Sequence, residues 1–162
     1  MYNQKFGSER VSQMFTRLSA VGKAEGINFS FGGNTGKTRD SHRVIWFAGE
    51  QEKSFPSSVG EVGGIQTRVV ENLFRAYFEE EKNITHRDVL VDAAVKAGLE
   101  RSSVDALLDT DEGGEEVDGE AGNAARKLVS GVPFFEIGRY VVEGADEPET
   151  FLEIFGKVRD GQ

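Results

Sequence analysis

The residues that first suggest chemistry are Gly32-Gly33-Asn34-Thr35-Gly36-Lys37-Thr38. This glycine-rich run lies between an extended stretch and a helix, where a phosphate-binding loop would stand. Such a loop needs four residues between its first glycine and Gly-Lys-Thr, so that successive amides wrap the phosphates. That count puts the first glycine at Phe31, one position too early. Val89-Leu90-Val91-Asp92 offers an acidic metal-holding strand only on paper, because it falls in a helical pattern between Thr85 and Gly98. Nucleotide hydrolysis is therefore a poor reading.

Sulfur chemistry is excluded from these residues, since the 162-residue chain has no cysteine. It can form neither a disulfide, a thiolate metal site nor a thiol nucleophile. The carboxylates at Asp109, Asp111, Glu112, Glu115, Glu116, Asp118 and Glu120 read as a solvated helix face, not a cation site. Asn28-Phe29-Ser30 and Asn83-Ile84-Thr85 match the glycosylation sequon. They carry little weight without a secretion signal. His42 follows the glycine-rich run, and Val132-Pro133 precedes a strand pattern.

Composition narrows the class of partner. With 28 acidic and 19 basic side chains the net charge is −9, which repels a nucleic-acid duplex or an anionic membrane. No apolar run approaches the roughly 20 residues of a membrane span, and the first residues lack an apolar signal core. The expected address is cytoplasmic, with no nucleic acid and no membrane as partner.

The elements that must position these residues follow from periodicity. Val11, Phe15, Leu18 and Val21 fall at helical spacing, with Gly26 as the stop. Ile27, Phe29 and Phe31 alternate with polar residues in a short extended stretch. A second helix opens near Thr38 and dissolves at Gly49 into a flexible insert over 49–64. Ile65, Val69, Val70, Leu73, Phe74, Tyr77 and Phe78 form a broad stripe that reads as core. Thr85 with Asp88, and Ser102 with Asp105, resemble helix N-terminal caps, and Gly98 closes the helix between them. A further helix ends near Val129. Phe134 to Ile137 and Tyr140 to Val142 flank Gly138-Arg139 as a β-hairpin, and a last helix begins at Pro148 with Phe151, Leu152, Ile154, Phe155 and Val158 on its apolar side.

Two features converge on a family: the run from Gly33 to Arg43, and Val132-Pro133 ahead of a hairpin and a final helix. Together they resemble the DsbA family of the thioredoxin superfamily, in particular its FrnE-like branch. The resemblance extends through Ala24-Glu25-Gly26-Ile27, Val69 to Phe78 and Gly144-Ala145, nearly the whole chain. The family commonly has Asn at the position of Lys37, so the Gly-Lys-Thr match is an accident of one substitution.

The resemblance implies an α/β fold: a partial thioredoxin fold with a large helical insertion, lacking the first strand and the active-site helix. Residues 1–129 would be the helical insertion and 130–162 the closing β-β-α part. Pro133 would be the family's cis-proline, and the backbone of Val132 would pair with an extended peptide or a thiol ligand. His42, Asn34 and Thr38 would belong to the segment facing the catalytic thiols. The alternatives at these positions are a trans proline at a strand start and a structural histidine bonded at a helix start. Trp46 reads as core.

The implied activity is thiol-disulfide exchange, absent from this chain because the family's Cys-x-x-Cys lies ahead of the first residue here. No catalytic residue, cofactor or metal is assigned. The expected partner is a thiol or disulfide peptide, or a glutathione-like ligand. Two other readings stand beside it: a noncatalytic peptide-binding module, and a glutathione-dependent relative of the kappa-class transferases and hydroxychromene-carboxylate isomerases. The turn at Gly138-Arg139 is a residue shorter than is usual in the family, and a hairpin without central strands should expose apolar surface.

Overall fold

The computed structural model describes residues 8–34, 36–54, 63–127, 129 and 131–161. Helices α1 (Ser8–Ala24), α2 (Arg39–Ser54), α3 (Ile65–Phe78), α4 (Arg87–Lys96), α5 (Arg101–Leu108) and α6 (Gly114–Arg126) precede strands β1 (Phe134–Ile137) and β2 (Tyr140–Glu143), and α7 (Pro148–Arg159) ends the order. The chain divides into two compact units, Met1–Val117 and Asp118–Gln162.

The core of the first unit lies among α2, α3, α4 and α5. Val44, Phe47, Ala48, Val69, Leu73, Leu90, Val91, Ala93, Ala94, Val104 and Leu107 are buried there. Each large aliphatic side chain so buried contributes about 1.5–3 kcal/mol of transfer free energy. Arg43 crosses this core with only 3% of its surface exposed. Its guanidinium donates to the carbonyls of Glu112, Leu107 and Thr110 and to the Asp40 carboxylate. One side chain thus satisfies the carbonyls that the end of α5 and the following turn leave open.

Helix α2 does not stop at Gly49 but continues to Ser54. A Cβ at Gly49 would meet Gln66 Nε2 at 2.6 Å, and that amide donates to the Ile45 carbonyl. Gly49 is therefore a point of close helix approach and not a terminator. The expected flexible insert over 49–64 is helical over 49–54, and 55–62 lie outside the described residues.

Other departures have local causes. On α1, Phe15 stacks on Phe31 at 4.0 Å, and a Cβ at Gly22 would strike the Phe29 ring. Val21 lies about a third of a turn from that contact line and is 56% exposed. On α3, Val69 and Leu73 are buried while Phe74 and Phe78 are exposed, so only two of the seven residues of the expected stripe are fully core. The residue preceding α4 is His86 and that preceding α5 is Glu100, neither with a side-chain cap bond. Asn83 instead accepts from the Thr85 amide and hydroxyl, and Asp105 accepts from Arg87. Gly98 does close α4, at φ +105°.

In the second unit β1 and β2 form a 2-stranded antiparallel sheet, with Ile137 opposite Tyr140 and Phe134 opposite Glu143. The turn is Gly138-Arg139, with Gly138 at φ +62°. Phe135 meets Phe151 of α7 edge-on at 4.9 Å, and Val142 and Ile154 are buried. Pro148 sits in the first turn of α7, where its missing N–H costs nothing. Val132, Val141, Leu152 and Phe155 remain exposed, the apolar surface expected of a hairpin without central strands.

Candidate functional site

The polar candidates sit where α2 begins. Thr38 precedes the helix, and its carbonyl accepts the His42 amide at 3.1 Å. Ser41 and Arg43 are each 3% exposed; the Ser41 hydroxyl donates to the Ile84 carbonyl at 2.7 Å. With both neighbours anchored inward, the helical turn directs His42 outward, and it is exposed. No hydrogen bond from its ring to a described residue is present, unlike the structural histidine the sequence left open. Asn34 is exposed as well, Thr38 is half-buried, and Thr35 lies outside the described residues.

The glycine-rich run has a packing explanation. Segment 28–32 lies along the end of α3: the Ser30 amide donates to the Phe78 carbonyl at 2.7 Å. The Asn28 amide donates to the Glu79 carboxylate and the Gly32 amide to the Glu81 carboxylate at 2.9 Å. The Ser30 hydroxyl donates to Glu81 too. A Cβ at Gly32 would lie 2.6 Å from Glu81 Oε2, one at Gly33 3.3 Å from Glu81 Cα, and one at Gly36 2.8 Å from Thr85 Cγ2. These glycines admit residues 81–85 of the same chain. The bonds from Ser30 and Gly32 hold the Glu81 carboxyl below its usual range. A fixed carboxylate on this turn repels a phosphate, which closes the nucleotide reading.

The apolar candidates lie in the second unit. The Val132–Pro133 peptide bond is cis, and Val132 is 89% exposed. The Gly144 amide donates to the Pro133 carbonyl at 2.8 Å, extending the ladder one pair beyond the hairpin. Gly131, Val132, Phe134, Glu143 and Gly144 line a shallow hollow there. Lys127 Nζ pairs with both carboxylate oxygens of Glu136, at 2.8 and 2.7 Å.

The first unit thus brings Asn34, Thr38 and His42 to the start of α2, and the second holds Val132 and Pro133 at the start of β1. Arg43 and Glu81, which set the geometry of the first group, were not singled out from sequence. Apart from the Arg43–Asp40 pair within one helical turn, their partners lie 49 to 69 positions away, and no local signal marks those. Among the described residues no group of acids and histidines could hold a metal ion, and no helix is long and apolar enough to cross a membrane.

Comparison with known proteins gives one family. The pattern of the DSBA-like thioredoxin domain matches residues 3–156. Among solved structures, a probable DsbA oxidoreductase from Streptomyces coelicolor is similar at 28% identity and a TM-score of 0.80, over 97% of this chain and 66% of that one. The chain therefore spans just under two thirds of that relative's length. No protein of curated function matches the sequence.

Proposed function

The chain belongs to the DSBA-like thioredoxin domain family, and on that footing we propose that it is the peptide-facing part of a thiol-disulfide oxidoreductase of the FrnE-like branch, without exchange activity of its own. One observation carries this reading: a family match over residues 3–156 in a chain with no cysteine. Exchange proceeds by attack of a thiolate on a disulfide sulfur, and no oxygen nucleophile replaces sulfur in that sequence. The cysteine pair of the reaction therefore comes from outside these residues. The share of the relative's chain left uncovered, and the bare apolar faces of the hairpin and α7, support this division of labour.

Within it, residues 1–129 are the helical insertion and 130–162 the closing β-β-α part. Val132 and Pro133 meet an extended peptide through the backbone, since Val132 stands almost wholly exposed just ahead of β1, where an extended peptide can pair with the chain. His42, Asn34 and Thr38 belong to the segment facing the thiols; support comes from the outward His42 ring.

The test joins two measurements. The purified chain is assayed for disulfide reduction and for affinity toward an oxidised peptide, and the endogenous protein is weighed intact. No turnover, peptide binding lost on Val132→Asp, and a heavier endogenous species with two cysteines is the expected result. An endogenous species of these residues alone, with peptide affinity intact, would make the protein a noncatalytic binding module. Glutathione binding in place of peptide binding would favour the glutathione-dependent relatives.

A further inference from the structure

The hairpin's ladder determines which backbone groups face outward. Hydrogen-bonded and non-bonded pairs alternate along antiparallel strands. The Gly144 amide bonds to the Pro133 carbonyl, so in the observed register Phe135/Val142 and Ile137/Tyr140 are the bonded pairs. The N–H and C=O of Val141 and Glu143 consequently point away from β1. No further backbone hydrogen bond reaches either residue among the described residues. Such an edge is a template for another strand unless charge, proline or a bulge blunts it; Tyr140–Glu143 has no lysine, proline or bulge, and its one charged side chain is Glu143 at the strand's end.

The side chains along this edge are self-complementary. Val142 is buried, while Val141 on the opposite flank is 53% exposed. Arg139 and Glu143 stand two residues to either side of Val141, both exposed. The Arg139 guanidinium lies over its own Tyr140 ring at 5.4 Å and donates to the Tyr140 hydroxyl. Neither Arg139 nor Glu143 has a partner of opposite charge among the described residues. Their neighbours differ: Glu136 is taken by Lys127 and Glu153 by Lys157.

We propose that β2 pairs antiparallel with β2 of a second copy of this chain, about a two-fold axis at Val141. That axis sets Arg139 beside the second copy's Glu143, twice over, with the two Val141 side chains together. Shifting the axis to Glu143 would oppose like charges, which is destabilising across strands. The isologous pairing closes on itself and makes one four-stranded sheet from two hairpins. A strand this short forms few bonds, so the association is weak and concentration-dependent. It needs no cysteine and stands apart from the proposed exchange reaction.

Sedimentation equilibrium on the 162-residue chain, up to about 1 mM, tests it with charge reversal. The unsubstituted chain should dimerise. Arg139→Glu and Glu143→Arg should each weaken the dimer by about tenfold, and the double reversal should restore it to within about threefold. Amide exchange at Val141 and Glu143 should slow as concentration rises, a readout that needs no variant to fold. A monomer throughout, exchange independent of concentration, a dimer indifferent to the single reversals, or one that the double reversal fails to restore would each overturn the proposal.

Discussion

The Gly32 amide donates to the Glu81 carboxylate at 2.9 Å across 49 positions of sequence, and Glu81 is held at φ 54° to receive it. The glycine-rich turn is thus anchored by a carboxylate from its own chain. This anchor fixes the approach to α2, and with it the placement of Asn34, Thr38 and His42.

Acid should loosen that anchor. Glu81, Asp92, Asp111 and Glu153 all have carboxyls below their usual range. Hydrogen bonds from Ser30 and Gly32 lower the first, and those from Lys96, Arg39 and Lys157 the others. A depressed folded-state pKa adds stability above the unfolded value and loses it as pH falls through the folded one. Melting temperature should therefore be flat above about pH 5 and decline below it. Glu81→Gln should lose part of that acid dependence; an unchanged profile would mean that Glu81 carries none of it.

Arg43 should be among the costliest residues to replace. Arg43→Met keeps most of the volume but leaves the carbonyls of Leu107, Thr110 and Glu112 without their donor. Stability to urea should fall by about 3 kcal/mol. Arg43→Lys should lose nearly as much, because an ammonium cannot reproduce the guanidinium fan. A loss under about 1 kcal/mol for Arg43→Met would show that solvent replaces these bonds.

Gly138→Ala should destabilise the hairpin unit. Its φ is +62°, and the added Cβ would stand 3.1 Å from Val158 Cγ2 on α7. About 1 kcal/mol is expected from the backbone alone. Hydrogen exchange should show the loss at Phe135 and Val142 and leave Leu90 in the first unit unchanged.

Leu152 and Phe155 are 67% and 53% exposed, so replacing both with Glu should change stability by no more than about 0.5 kcal/mol. Binding of a hydrophobic dye should drop with them. A large loss of stability with dye binding unaltered would mean that these side chains are buried in solution.

What could be read from the chain alone was whatever closes within a few residues. The hairpin at Gly138-Arg139, the helix opened by Pro148, the stop at Gly98 and the family run from Gly33 to Arg43 are all local patterns. Their spacing carries the information because hydrogen bonds in turns and helices span three or four positions. The same locality misread Gly49, since a glycine that admits Gln66 looks in sequence like one that ends a helix. The caps expected at Thr85 and Ser102 failed in the same way, their residues being drawn to Asn83 and, through Asp105, to Arg87.

Tertiary structure alone decided which charges are fixed across long stretches of sequence and which faces stay bare. Arg43 meets carbonyls 64 to 69 positions away, and Glu81 reaches back to Ser30 and Gly32. Contacts at that range depend on how helices pack, which periodicity along one helix does not encode. Burial shows the same limit: one apolar stripe contains Val69, fully buried, and Phe74, 57% exposed. Hydrophobic spacing selects a face, and only the neighbouring elements determine how much of it leaves water.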